Sequence, residues 1–144
     1  KAQIEWLTSI SNKLKINIQH AENGGQRKLI NSNYSADGYY KKLNLIFEFH
    51  GCFYHGCTKC FPLRNEINKE LKMSYEELFK KTNDKKNWCL KNNYKYIQIW
   101  GCEWNKIRIN NELLEKHIVD INNIFYYFIN IFSYLLFKAN FIMQ

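Results

Sequence analysis

Residues 46–60, IFEFHGCFYHGCTKC, constrain the fold of this chain more than any other segment. They hold three of the five cysteines and two of the four histidines, and they place Glu48 inside an otherwise apolar run. Apolar side chains alternate from Leu43 to Phe49, which predicts a β-strand whose two sets of side chains point to opposite faces of a sheet. We therefore expect Glu48, His50 and Cys52 to project to the same face.

The cysteines after this strand have the spacing of a metal site. Cys57 and Cys60 form a CxxC pair behind Cys52, and Cys102 follows the second predicted strand, residues 94–100. If the two strands are neighbours, Cys52 and Cys102 emerge at the same end of the sheet. Four cysteines then predict a structural, tetrahedral Zn²⁺ site, the zinc knuckle, with His55 as an alternative to one thiolate.

Cysteine usage and charge limit the compartment and the partner. Five is an odd number, and CxxC clustering beside histidines favours metal binding in a reducing, intracellular compartment, the nucleus included, over a disulfide framework. The formal net charge is +8, and residues 118–144 contribute one Asp and one Lys, so the remainder is basic. This charge favours DNA as a partner over a small-molecule substrate, and a basic solubility surface is the alternative.

Periodicity along the chain predicts an α/β (α+β) fold. Residues 2–15 have the spacing of an amphipathic helix, residues 17–52 resemble a meander of short strands, and Ser74 with Glu77 forms a capping box that opens a helix to about Asn92. We expect Leu78, Trp88 and Leu90 on the apolar face of that helix. A mixed sheet flanked by helices, with a structural zinc knuckle, follows.

The predicted domain is 1–117, and residues 118–144 form an apolar tail. The apolar stretch 124–137 is shorter than the ~20 residues that a bilayer-spanning helix needs, so a docked helix or a non-native appendage is favoured over membrane insertion. The chain begins at Lys1 without a signal-peptide pattern, and we interpret it as part of a longer product.

An acidic site is predicted beside the knuckle. Asp37 precedes Glu48 by one turn and one strand, a layout that lets two carboxylates share Mg²⁺. His50 could contact a phosphate, and His55 has a side chain suited to a general base. The alternatives are a buried, ion-paired Glu48 and an Asp37 that caps a helix.

Asp37, FEFHGCFYHGC and IQIWGCEW together resemble the very short patch repair endonucleases, within the PD-(D/E)xK, restriction-endonuclease-like superfamily. The segments IQHAENGG, SADGYY and FEFHGCFYHGC also resemble a nuclease-like segment attached to family-B DNA polymerases of Polinton-type mobile elements and viruses. The resemblance covers roughly residues 4–104. It implies that Asp37 and the carbonyl of Phe49 bind a metal ion. It also implies that His50 contacts the phosphate or acts as a general acid, that His55 acts as a general base, and that Glu5 matches the acidic residue of the family's N-terminal helix.

DNA contact is expected at four further positions. Phe53 and Tyr54 stand where the repair enzymes wedge aromatic rings into the base stack, with packing of the knuckle as the alternative. Lys85 and Lys86 lie on the predicted helix, where lysines are available to phosphate or to solvent.

The chain departs from the repair enzymes at four positions. Glu48 replaces an apolar residue, Cys57 replaces His, Lys59 is inserted, and Ala36 replaces the Pro before the catalytic Asp. Mismatch recognition is therefore not carried over. The sequence predicts a Mg²⁺-dependent DNA endonuclease of a mobile or viral element, or else a non-catalytic nucleic-acid-binding accessory segment of a family-B polymerase, within a larger polyprotein.

Overall fold

The computed structural model describes residues 1–142, and the chain divides into two compact units, Lys1–Lys106 and Ile107–Gln144. The boundary predicted between residues 117 and 118 falls inside the last helix. The helices are α1 (Ala2–Leu14), α2 (Cys52–His55), α3 (Tyr75–Lys91), α4 (Gly101–Ile107) and α5 (Asn111–Ile142). The strands are β1 (Gln19–His20), β2 (Arg27–Lys28), β3 (Ser35–Ala36), β4 (Gly38–Tyr40), β5 (Leu45–His50), β6 (Ile67–Asn68), β7 (Met73–Ser74) and β8 (Lys95–Trp100).

A mixed four-stranded sheet in the order β1-β4-β5-β8 organises the first unit. Strand β5 is antiparallel to β4 and parallel to β8, with His50 opposite Trp100 at the end of the pair. The expected pairing of the strands before Cys52 and Cys102 is thus confirmed. The α/β fold class, a mixed sheet flanked by helices, is confirmed with it.

The alternation predicted for β5 places its side chains on two different faces. On one face Phe47 meets Trp6 of α1, with ring centroids 5.9 Å apart, and Gly38 of β4 lies so close that an added Cβ would stand 2.7 Å from Leu7. On the other face Ile46 packs with buried Cys89 of α3. Glu48 and His50 share this second face because side chains two residues apart in a strand point the same way.

Helix α3 begins as the capping box predicts. The Ser74 hydroxyl accepts from the Glu77 backbone N–H at 3.2 Å, and Glu77 accepts from the Ser74 N–H at 2.7 Å. Leu78 is buried and Trp88 is partly buried, but Leu90 is 49% exposed, so its predicted place on the apolar face is wrong. Cys89 and Thr82 are buried, so the face that meets the sheet runs through these positions rather than through Leu90.

Several short elements differ from the predicted ones. Cys52 does not continue β5, which ends at His50; it opens the four-residue helix α2, so it does not share the strand face of Glu48. The predicted linker after Pro62 contains the β6–β7 hairpin, and α4 follows β8 directly where no helix was predicted. The short strands expected in residues 17–52 are present: three have two residues, β4 has three and β5 has six.

The second unit consists mainly of α5. The Asn110 side chain accepts a hydrogen bond from the Leu113 N–H at 3.1 Å, which caps the helix start. The helix continues through Asn130 and Ser133. Within residues 1–142, no helix combines the length and the apolar content that crossing a bilayer requires.

Candidate active site and metal centre

Asp37 and Glu48 form a carboxylate pair at the junction of β3, β4 and β5. Asp37 Oδ2 accepts from the Phe49 backbone N–H at 2.9 Å, and Glu48 Oε1 accepts from the Asp37 N–H at 3.4 Å. Asp37 precedes a strand, so it does not cap a helix. Because both carboxyls are held in reciprocal contact with the neighbouring backbone, their relative position is fixed by the sheet.

Burial dominates the electrostatics of this pair. Burial raises the pKa of Asp37, against the Phe49 N–H and the Lys85 ammonium, which lower it. Burial likewise raises the pKa of Glu48 to about 7, with Lys85 opposing the rise. Glu48 is 2% exposed, so its charge is poorly solvated, and a cation placed here would stabilise it.

Lys85 of α3 is the cation that meets Glu48. Its Nζ lies 2.6 Å from Glu48 Oε2 and donates to the Ser35 carbonyl at 2.8 Å. Its side chain is 20% exposed. Glu48 is therefore buried and ion-paired, which is the alternative that the sequence analysis left open. Lys85, which we expected to contact DNA, instead contacts this carboxylate.

A cleft of about 220 Å³ opens beside Glu48, the member of the pair that lines it, and we call it the acidic cleft. Its lining combines one carboxylate, two histidines, two lysines and several aromatic or aliphatic groups: Tyr34, Glu48, His50, Tyr54, His55, Leu78, Lys81, Thr82 and Lys85. The rings of His50 and His55 are 5.0 Å apart between centroids. Two histidines, two lysines and a carboxylate thus face one solvent-connected space.

His50 is 1% exposed, and neither of its ring nitrogens meets hydrogen-bond geometry with a group in residues 1–142. Burial and the neighbouring His55 lower the pKa of His50 to about 3, while the Gln98 side chain acts in the opposite direction. The ring is therefore neutral near pH 7. The ring nitrogens of His50 are therefore available to a group that enters the cleft, with Gln98 as the nearby polar side chain.

Thr82 fixes the orientation of His55. The Thr82 hydroxyl donates to the Leu78 carbonyl at 3.0 Å, and its oxygen lies 3.1 Å from His55 Nδ1. With the hydroxyl proton on the Leu78 carbonyl, Nδ1 is the donor to Thr82 and Nε2 carries the lone pair. Burial also lowers the pKa of His55, which keeps that lone pair free of a proton.

The other predicted residues lie at several places in the first unit. Phe49 reaches the pair through its backbone, whereas Glu5 is an exposed residue of the first turn of α1 and does not line the acidic cleft. Phe53 is half-buried among the rings of Phe61 and Tyr75, as the packing alternative predicts. Tyr54 is 54% exposed at the cleft. Lys86 lies away from the cleft, with Nζ 5.9 Å from the Tyr96 ring.

Sequence reasoning did not assign four of the cleft residues to the site, although Lys81 is one of the helix lysines that it expected to be available to phosphate or to solvent. Leu78, Lys81 and Thr82 belong to α3, and Tyr34 precedes β3. A signal for the three helical residues was present, because positions 78, 81, 82 and 85 have the spacing of one helix face. Tyr34 has no comparable signal, since its place depends on the turn between β2 and β3.

The four predicted cysteine ligands do come together. The Sγ atoms of Cys52, Cys57, Cys60 and Cys102 all lie within 4.8 Å of one another, and those of Cys57 and Cys102 are 3.8 Å apart. Two Zn–S bonds of about 2.3 Å at the tetrahedral angle separate two sulfurs by about 3.8 Å. The cluster therefore fits a metal such as zinc, and the metal group found in residues 1–142 does not include His55.

The knuckle is tied to the start of α3 by close backbone contact. Gly56, at φ +66°, lies so near this helix that an added Cβ would stand 2.2 Å from the Tyr75 carbonyl oxygen. Arg64 donates to the carbonyls of Gly56 at 3.0 Å and Tyr75 at 2.7 Å. His55, beside Gly56, is thereby held over the helix face that carries Thr82 and Lys85.

No protein-family model matches this chain, and neither a curated protein nor a solved structure matches it.

Proposed function

We propose that this chain is a metal-dependent DNA endonuclease whose active site is the acidic cleft. The observation that carries the proposal is buried Glu48, which faces one space with two histidines whose rings are 5.0 Å apart and which accepts from the backbone N–H of half-buried Asp37. Hydrolysis of a phosphodiester needs a cation site, a proton acceptor and a contact for the phosphate. The cleft holds a candidate for each.

Asp37, Glu48 and the carbonyl of Phe49 would hold Mg²⁺, a hard cation that prefers oxygen ligands. When bound, Mg²⁺ would neutralise the charge that builds on the scissile phosphate. The residues fit such an ion because the hydrogen bonds of Glu48 to the Asp37 N–H and of Asp37 to the Phe49 N–H hold two carboxyls side by side.

The two histidines have different duties in this proposal. His55, with Nδ1 on Thr82 and the lone pair on Nε2, accepts the proton of the attacking water. His50 is neutral, so it donates a ring N–H to a phosphate oxygen rather than acting as an imidazolium acid.

The partner follows from charge. The chain has a formal net charge of +8, and Lys81 adds a cation at the cleft beside the exposed ring of Tyr54. A polyanion with bases to stack on, DNA, suits both features. The resemblance to polymerase-attached segments makes a mobile or viral element part of this proposal. The clustering of cysteines beside histidines makes a reducing compartment part of it as well.

Cleavage of supercoiled plasmid by the full chain tests the proposal. We expect nicking with Mg²⁺, none with EDTA, and a loss of roughly a hundred-fold or more in Asp37→Ala, because the metal supplies several kcal/mol of charge stabilisation. The control is Asp84→Ala, which removes an exposed carboxylate of α3 that pairs with Lys80.

Two outcomes would contradict the nuclease. One is nicking that survives in Asp37→Ala. The other is plasmid retention without nicking across Mg²⁺, Mn²⁺ and Ca²⁺, which would favour the second candidate, a non-catalytic nucleic-acid-binding segment, for which the basic charge alone is sufficient.

A further inference from the structure

Lys85 stands where a cation would bind the carboxylate pair. Its Nζ is 2.6 Å from Glu48 Oε2, and the Ser35 carbonyl, 2.8 Å away, fixes it from the other side. The lysine side chain is flexible, so an ammonium that only neutralised Glu48 could take many positions around the carboxylate. The second contact, to the backbone of β3, holds the ammonium at the pair.

A charge inventory of the site limits the number of metal ions. Asp37 and Glu48 bring two negative charges when a metal is bound, and Lys85 brings one positive charge. With one divalent ion the group is singly positive, which one phosphodiester neutralises. A second divalent ion would leave two uncompensated positive charges in a place where Glu48 is 2% exposed, and buried uncompensated charge is costly.

We propose that Lys85 is a built-in cation of the acidic cleft. Its ammonium binds Glu48 Oε2, opposes metal binding at that oxygen and limits the site to one divalent ion. The proposal deepens the proposed function and rests on it for the phosphate. The rival explanation is a purely structural ion pair that joins α3 to β5. If the pair is only structural, removing Lys85 should leave metal binding unchanged or weaken it. If Lys85 competes with the metal, removing it should tighten metal binding.

The test is Mn²⁺ binding to the zinc-loaded full chain, followed by the paramagnetic resonance of free Mn²⁺. We expect one Mn²⁺ per wild-type chain, lost in Asp37→Ala, and roughly ten-fold or more tighter binding in Lys85→Met, because a competing positive charge has gone. Lys85→Arg, which keeps the charge, should not show this gain. The control is Lys91→Met, an exposed lysine of the same helix, which should bind as wild type does.

Lys85→Met leaves Glu48 buried without its partner and could fail to fold. A neutral background avoids this problem, so Glu48→Gln is compared with Glu48→Gln/Lys85→Met, and the double variant should bind Mn²⁺ more tightly. Equal or weaker binding in both comparisons would overturn the proposal, as would two Mn²⁺ per wild-type chain.

Cleavage separates this proposal from the proposed function. If the wild type shows no Asp37-dependent nicking, the nuclease fails, while the Mn²⁺ titrations still decide the role of Lys85. If the wild type nicks, Lys85→Met should bind metal more tightly and yet cleave more slowly at saturating metal, since the phosphate has lost a positive charge. Faster cleavage at saturating metal would overturn the charge inventory.

Discussion

Cys89 differs chemically from the four clustered cysteines, although all five are free thiols. It is 0% exposed and packs with Ile46 and Leu29 in the core between α3 and the sheet. Burial, with the nearby charge of Glu48, raises the pKa of the thiol to about 11. Since the thiolate is the nucleophile, Cys89 is inert near neutral pH.

We expect native protein treated with iodoacetamide at pH 8 to leave Cys89 unmodified, whereas protein unfolded in guanidinium is labelled there. The raised pKa gives the pH dependence: an ordinary thiol of pKa ~8.5 is mostly ionised by pH 10, but Cys89 is still mostly protonated there. Peptide mapping by mass spectrometry measures the sites. Labelling of Cys89 as fast in native protein as in guanidinium would refute the buried thiol.

At the scale of elements, Arg64 joins the knuckle to α3. Its guanidinium donates to the carbonyls of Gly56, Phe61 and Tyr75 at 2.7–3.0 Å and pairs with Glu76 at 2.9 Å. These carbonyls belong to three separate segments. One side chain thus satisfies backbone groups that close packing shields from water.

Arg64→Met should lower the free energy of unfolding by about 2–4 kcal/mol, since shielded carbonyls lose charged donors. The matched control is Lys59→Met, which removes a solvent-exposed pair with Glu103 and should cost about 0–1 kcal/mol. Urea unfolding followed by circular dichroism compares the two variants. Equal losses would mean that Arg64 is no more than another surface charge.

Elements defined by local signals could be predicted from the sequence, and elements defined by tertiary contacts could not. The capping box at Ser74 and the alternation of β5 are complete within a few residues, and both were found. Helices α2 and α4 have four and seven residues, too short for periodicity to show. They form where the chain turns to bring Cys52 and Cys102 together.

The same contrast holds for the site. Asp37, Glu48, His50 and His55 could be proposed because their types and spacing resemble a nuclease pattern. The contact of Lys85 with Glu48 joins residues separated by 37 positions and depends on how α3 is rotated over the sheet. That rotation is set by which apolar side chains the core accepts, Cys89 and not Leu90, and no local pattern specifies it.

At the scale of the whole first unit, the cysteine cluster and the acidic cleft share one end of the sheet. Cys52 follows β5 and Cys102 follows β8, strands that also carry His50 and Trp100 at their ends. His55 lies in α2, between two cysteines of the cluster. A metal in the cluster is therefore expected to set the position of a histidine that faces the cleft.

Cys102→Ser should accordingly lower three quantities together: zinc content, thermal stability and Mg²⁺-dependent nicking. We expect the unfolding midpoint to fall by roughly 10 °C or more, because structural zinc binding is coupled to folding. Cys89→Ser is the control, since it alters a cysteine outside the cluster and should retain a full zinc equivalent. Zinc is measured by metal analysis, and after chelation of the wild type Zn²⁺ should restore nicking where excess Mg²⁺ alone does not. A Cys102→Ser protein with full zinc would remove Cys102 from the ligand set, and full nicking without zinc would uncouple the knuckle from the cleft.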